Sequence, residues 1–318
     1  MSDKIHKIIT IPEDGTDQRL DQALAKLLPD YSRTQIQDWI QNGMALLDGQ
    51  VVKPNTRIMG GETVSLDAVL KPQPLWEAER IPLSIVYEDD ALLVINKPSN
   101  LVVHPGTGNP NKTLLNALLH HAPGLQALPR AGILHRLDKN TTGLLVVAKT
   151  AAALKDLTAQ LKSRTLLREY QAVIAGVLIS GGMVDAPIGR HHLQRKRMAV
   201  TDTGKEAITH YRVLEKYRAH TRIKIKLETG RTHQIRVHMA HIRHPILGDP
   251  TYGGRLQLPK GASTELIQVL RQFNRQALHA FALGLTHPVT QEFMRWEAPL
   301  PNDMKALITV LRNDHKSK

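Results

Sequence analysis

The chain of 318 residues has room for about two domains of roughly 150 residues each, and its 42% apolar content is ordinary for a protein that buries a core, which excludes a large disordered chain. It contains no cysteine, which removes disulfide scaffolds, thiolate nucleophiles and Cys-ligated zinc sites together. Its 42 Lys plus Arg against 29 Asp plus Glu leave a net charge of +13, which suits a polyanionic partner, either nucleic acid or anionic lipid.

The longest apolar runs, such as 91–95 and 144–148, fall far short of the ~20 residues of a membrane helix. The amino terminus, Met1-Ser2-Asp3-Lys4-Ile5-His6, has no apolar signal core, so a cytoplasmic protein without a membrane partner is expected. Charge is unevenly spread. Residues 1–80 hold nine cations and twelve anions, so the excess lies in the remainder, and 190–236 alone carry 13 Lys plus Arg against four acids. Such a cluster suits phosphate contacts; a solvated basic face is the alternative.

In chain order, apolar residues at 20, 23, 24, 27 and 28 follow helical spacing, and Pro29 stops that helix. A second helix is predicted after it, with Ser32 as N-cap and Ile36, Trp39 and Ile40 facing inward, ending at Asn42-Gly43. Segments 44–47 and 61–66, separated by Asp48-Gly49 and Gly60-Gly61, read as small strands with tight turns. The proline-rich stretch from Lys71 to Pro82 resists helix and central strand alike and reads as a linker.

Beyond it, 84–87 and 91–95 flank Glu88-Asp89-Asp90 in a hairpin pattern. Helices are predicted at 113–121 and 151–161, with strands at 144–148 and 170–174. In 221–227 apolar and cationic residues alternate at period two, so one face packs while Arg222, Lys224 and Lys226 point outward, the last two as candidate phosphate contacts. Helices and strands mix without strict βαβ order, which predicts an α+β fold with a mixed, largely antiparallel β-sheet, preceded by a small α/β unit. The expected division is 1–75, a linker at 76–84, and 85–318.

The stretch richest in chemistry runs from His135 to Lys149. Asp138 sits among His135, Arg136 and Lys139, with Gly143 to let the backbone turn into an apolar strand. Nearby positive charge favours its ionised state, as befits a nucleophile or base, although an ion-paired turn has the same pattern. Of the 16 histidines, His233, His238, His241 and His244 lie close together, but they match no zinc-protease spacing and have Arg231, Arg236 and Arg243 for neighbours, so no metal site is expected.

Residues 15–70 resemble an S4 domain, a small RNA-binding module, through Gln18-Arg19-Leu20-Asp21, Ser32-Arg33 and Val64-Ser65-Leu66. The resemblance implies that the second helix and the loop after it lie on RNA, with Arg33, Gln37 and Lys53 as contacts. A purely structural appendage is the other reading.

His135-Arg136-Leu137-Asp138 followed by Thr141-Thr142-Gly143-Leu144 resembles the signature of RluA-type pseudouridine synthases. Arg168-Glu169-Tyr170 and the run from Leu227 to His238 follow in the family's order. Asn96-Lys97-Pro98, the run from Val103 to Gly106, the run from Gly248 to Gly254 and the run from Gln276 to Ala280 extend the likeness over 84–300. The resemblance implies that Asp138 is the catalytic aspartate, paired with Arg236. It implies that Arg136 fills the stack vacated by a flipped uridine, and that Tyr170 lies against the flipped base and assists C5 deprotonation. Arg231 and His233 fit phosphate contacts or helix capping. The implied substrate is 23S ribosomal RNA or a large-subunit precursor, at several uridines of the helix 69 stem-loop, with a monomeric enzyme.

Uridine isomerisation conserves atoms: the C1′–N1 bond breaks, uracil turns and rejoins through C5, and a proton leaves C5. No cofactor is required, in keeping with the lack of a phosphate loop or dinucleotide fingerprint. One carboxylate at the sugar suffices, since the leaving group is retained and no water needs activation. A non-catalytic RNA-binding or ribosome-assembly protein is the competing reading.

Overall fold

The computed structural model describes residues 4–29, 31, 33–69, 76–106, 108–194 and 197–316. The chain forms two compact units, 1–75 and 76–318.

The first unit contains β1 (Lys4–Thr10), α1 (Leu20–Leu27), α2 (Arg33–Gln41), β2 (Ala45–Leu47) and β3 (Thr63–Val69). Its antiparallel sheet has the order β1-β3-β2. The apolar stripes read from the sequence face inward: Leu20, Leu24, Ile36, Trp39 and Ile40 pack with Val64 and Leu66 in one core. Ser32, the expected cap of α2, lies outside the described residues, as do residues 71–75 of the proline-rich stretch. β1 was not anticipated. Its apolar residues at 5, 8 and 9 fit no strand period, and pairing with β3, some sixty residues on, makes it a strand.

The second unit contains β4 (Ile85–Glu88), β5 (Leu92–Lys97), α3 (Leu114–His121), β6 (Thr142–Ala148), α4 (Ala151–Lys162), β7 (Leu167–Ala175), β8 (Gly182–Asp185), β9 (Ile188–Arg190), β10 (Met198–Val200), β11 (Ile208–Lys216), β12 (His220–Leu227), α5 (Gln234–His241), α6 (Thr264–Gln272), β13 (Leu278–Thr286), β14 (Phe293–Glu297) and α7 (Asn302–Lys316). Its main sheet runs β4-β5-β6-β13-β7-β12-β11-β8, with β14 also on β13. Among the described residues β6 and β13 are parallel and the other strand pairs of this sheet are antiparallel, so the fold is the expected mixed α+β arrangement.

The run from Leu144 to Ala148 is buried on both faces. Leu144 and Val146 pack with Ala153 and Leu157 of α4, while Leu145 and Val147 join the larger core with Leu115, Leu118 and Leu307. Each such side chain, fully buried, contributes about 1.5–3 kcal/mol, and a strand covered on both sides is a rigid platform for the loop before it. Residues 76–84, expected as a linker, belong instead with this unit: Glu79 N–H donates to Asn116 O at 3.0 Å, and Asn116 Nδ2 to Glu77 O at 2.8 Å. Proline keeps them out of strands without keeping them from docking.

Among the described residues no helix is long and apolar enough to cross a membrane.

Candidate active site

The loop that leads into β6 carries Asp138, and it is held by its own turn, by the stretch 275–279 and by the end of β5. Thr141 N–H closes a turn onto Asp138 O at 3.0 Å, Gln276 Nε2 donates to Thr141 Oγ1 at 3.0 Å, and Arg275 Nη1 reaches Asn140 O at 3.3 Å. Thr142 Oγ1 lies 2.8 Å from His279 Nδ1. Lys97, at the end of β5, is fully buried and donates to the carbonyls of Pro98, Leu101 and Lys139 at 2.8, 2.9 and 3.0 Å. Burial, opposed by the charge of Asp138 and reinforced by Arg275, pulls its ammonium down to about 7. Gly143 is required where β6 meets β13: its φ is +113°, and a Cβ there would fall 2.2 Å from Ala280 O.

Arg236, in the first turn of α5, joins two carboxylates. Its Nη1 donates to Asp138 Oδ2 at 2.9 Å, while Nε and Nη2 donate to Asp249 Oδ2 and Oδ1 at 2.7 and 2.8 Å. Burial opposes its charge, but the two acids outweigh that and raise its pKa. The Asp138 side chain is 15% exposed, against 0% for that of Asp249. Asp249 is further fixed by the Thr251 and Tyr252 N–H groups. The Tyr252 ring lies under the Arg236 guanidinium at 5.0 Å and under that of Arg197 at 5.2 Å. His233, just before α5, adopts a left-handed conformation with φ 58° and ψ 19°. Its Nδ1 is 2.8 Å from Tyr252 Oη and its Nε2 is 3.9 Å from Asp138 Oδ1.

Tyr170 lies mid-sheet on β7, opposite Ile225 of β12 and Ala280 of β13, and is 6% exposed. Burial raises its pKa, with Arg168 opposing and Asp138 adding to the rise, so the phenol is neutral at physiological pH. Arg168, two residues earlier on the same face, is itself buried; its Nη2 donates to Glu228 O at 3.1 Å, and its Nε has no partner among the described residues. Arg136 is exposed, and its charge helps keep both His233 and His104 unprotonated, after burial in each case. Asp138, Arg236, Tyr170, Arg136 and His233 thus form one charge-coupled cluster. Asp249 and Tyr252 belong to it too. The run from Gly248 to Gly254 was visible as a family block, but nothing local to it says that its acid meets an arginine 13 residues earlier.

The expected RNA contacts fare unevenly. Lys224 and Lys226 do not join the cluster. Their neighbour Ile225 pairs with Tyr170, so strand alternation turns both lysines to the opposite face of the sheet, where Lys224 Nζ is 2.7 Å from Glu169 Oε1. Arg231 Nε donates to Glu206 O at 2.8 Å. In the first unit, Arg33 and Gln37 both donate to the fully buried Asp21, which Arg19 also holds. Burial would raise the Asp21 pKa, but the bonds from Gln37, Arg19 and Arg33 prevail and lower it. Lys53 is exposed. Among the described residues no group of three or more His, Asp or Glu side chains converges as a metal site.

The sheet thus presents one partly open carboxylate beside a buried arginine and a neutral tyrosine. The family model for RNA pseudouridylate synthase matches residues 91–241, and that for the S4 domain matches 18–64. Ribosomal large subunit pseudouridine synthase D of Salmonella typhimurium is 54% identical over 320 residues, covering 99% of this chain and 98% of that protein. Proteins of the same name from Escherichia coli K12 and Pseudomonas aeruginosa are each 53% identical, covering 99% and 100% of this chain and 97% and 99% of theirs. Among solved structures, Human RNA Pseudouridylate Synthase Domain Containing 4 is 27% identical with a TM-score of 0.57, over 72% of this chain and 93% of its own. The chain belongs to the S4-bearing RNA pseudouridylate synthase family, and it is a pseudouridine-forming isomerase.

Proposed function

We propose that this enzyme acts on 23S ribosomal RNA or a large-subunit precursor, converting several uridines of the helix 69 stem-loop to pseudouridine, and works as a monomer in the cytoplasm. The substrate class is supported by relatives that match end to end and carry the large-subunit name. The observation that carries the mechanism is the single hydrogen bond from Arg236 to Asp138 Oδ2, which orients a carboxylate that is still 15% exposed and engages one of its two oxygens.

In this reading Arg136 occupies the space left when the uridine swings out, offsetting about a few kcal/mol of unstacking. Asp138 acts on the sugar as the C1′–N1 bond breaks. The uracil turns, the C1′–C5 bond forms, the C5 proton departs and N1 takes up a proton. Tyr170 lies against the base; being neutral, its hydroxyl relays the C5 proton rather than retaining it. Arg231, His233 and Lys53 are proposed on the RNA side, while Arg33 and Gln37 contribute there through the shape that Asp21 gives them.

The test is tritium release from ribosomal RNA labelled at uracil C5, which binding alone cannot cause. Asp138→Asn keeps the side-chain volume and removes the charge, so release should fall by roughly 10⁴-fold while RNA affinity is retained. Comparable release by the variant would remove Asp138 from the chemistry. Release by neither protein would favour a binding role. Pseudouridine mapping in ribosomal RNA from cells lacking the protein identifies the positions.

A further inference from the structure

His233 takes no part in the chemistry above, yet its ring is oriented with unusual completeness. Met198 N–H donates to Tyr252 Oη at 2.9 Å, so the phenol oxygen already accepts one hydrogen bond. The phenol's own proton then has one acceptor within reach among the described residues, His233 Nδ1 at 2.8 Å. A neutral imidazole that accepts at Nδ1 carries its proton on Nε2. The backbone of Met198 therefore favours, through Tyr252, the tautomer of His233 that is protonated on Nε2, the nitrogen 3.9 Å from Asp138 Oδ1.

That N–H does not reach the carboxylate. Nε2 and Asp138 Oδ1 are 3.9 Å apart, too far for a hydrogen bond, and Arg236 occupies the other carboxylate oxygen, Oδ2. A separation of this size between a fixed donor and a fixed acceptor suits one bridging hydroxyl oxygen, which would accept from Nε2–H and donate to Oδ1, each at about 2.8 Å. In a nucleotide inside an RNA chain both the 3′ and 5′ oxygens are esterified, so the 2′-hydroxyl is the sugar's one remaining donor. It is also attached to the carbon next to C1′, where Asp138 acts.

We infer that His233 and Asp138 together seat the 2′-hydroxyl of the target uridine, fixing the sugar beneath the carboxylate and selecting ribose over deoxyribose. The inference rests on Asp138 being the sugar-facing group of the proposed mechanism. Two features fit it. The left-handed backbone at His233 is an uncommon conformation for a side chain with a Cβ and is kept where surrounding structure insists on it. Burial, with the charges of Arg236 and Arg136 adding to it and those of Asp138 and Asp249 opposing, keeps the imidazole neutral, as the donor–acceptor pattern requires.

The probe is a synthetic stem-loop RNA of helix 69 sequence with one C5-tritiated uridine, made with either a 2′-hydroxyl or a 2′-hydrogen at that nucleotide. Single-turnover release is measured for the wild-type protein, His233→Phe and His233→Gln, whose amide nitrogen can replace Nε2. Loss of one such hydrogen bond predicts a decrease of roughly tenfold for His233→Phe on the ribose target, largely restored in His233→Gln. The wild type should lose a similar factor on the deoxy target, and His233→Phe should lose nothing further there. If the deoxy target is turned over too slowly to time, the same cycle is read in RNA affinity. Independent, multiplying losses from variant and deoxy sugar would overturn the inference and leave the Asp138 mechanism standing. Undiminished release by Asp138→Asn would overturn both.

Discussion

Asp249 grips Arg236 through two near-parallel hydrogen bonds of 2.7 and 2.8 Å, while Asp138 receives one bond from the same guanidinium. The asymmetry separates two tasks. Asp249, with no exposed side-chain surface, anchors the cation, and Asp138 keeps an oxygen for other work.

Asp249→Asn should therefore damage both stability and catalysis. Removing one partner of a buried ion pair destabilises by about 3–5 kcal/mol. Arg236, freed from its anchor, would close more fully on Asp138, and a carboxylate displaced by about an ångström would lower kcat by roughly 100-fold. Urea unfolding and tritium release at saturating RNA check the two effects. Unchanged kcat in a destabilised variant would reduce Asp249 to a purely structural acid.

Lys97→Met tests the support of the Asp138 loop. It leaves the carbonyls of Pro98, Leu101 and Lys139 without their shared donor, each worth about 1–3 kcal/mol when unsatisfied, partly offset because a buried charge is removed. The expected result is a lower melting temperature and a fall in kcat, with RNA affinity unchanged. A fully active variant would mean that the contacts of Thr141, Thr142 and Asn140 hold the loop without it.

How much of this was legible in the sequence depended on the range of the interaction. The helices of the first unit and the doubly buried β6 followed from patterns within a dozen residues. The Asp138 and Arg236 blocks were recognisable as motifs. What local patterns lacked was the register between distant segments. The parallel pairing of Gly143 with Ala280, the docking of β1 on β3 and the meeting of Arg236 with Asp249 all depend on it. The lysines of β12 make the point sharply: alternation predicted two faces, and only the pairing of Ile225 with Tyr170 says which face the site is on.

That placement changes what salt should do. A lysine on phosphate adds roughly 0.7–0.9 to the slope of log K against log salt. Lys224, paired with Glu169 and facing away from Tyr170, is not positioned for this on the site's face, so Lys224→Gln with Lys226→Gln should leave the slope unchanged. Lys139, exposed and next to Asp138, is better placed, and Lys139→Gln should lower it by that amount. Affinity measured at several salt concentrations decides between the two sites, and a flatter slope for the β12 double variant would put RNA on the far face of the sheet.

Acid sensitivity should trace in part to His135. Its Nε2 accepts from Val146 N–H at 3.1 Å, a bond open only to the unprotonated nitrogen. Burial first, and then the neighbouring charge of Arg168, push its pKa from 6.5 down to about 3. Between those values the unfolded chain binds a proton here that the native protein does not, so native stability falls as the pH is lowered through that window. His135→Gln offers Val146 a carbonyl oxygen that does not titrate in this range. Relative to wild type it should gain up to about 1.4 kcal/mol for each pH unit between pH 6 and 4, having little advantage at pH 7. Urea unfolding at pH 7, 6, 5 and 4 measures the difference. Parallel stability curves for the two proteins would mean that His135 takes up its proton equally well in the folded and unfolded states, and that the Val146 bond does not hold it neutral.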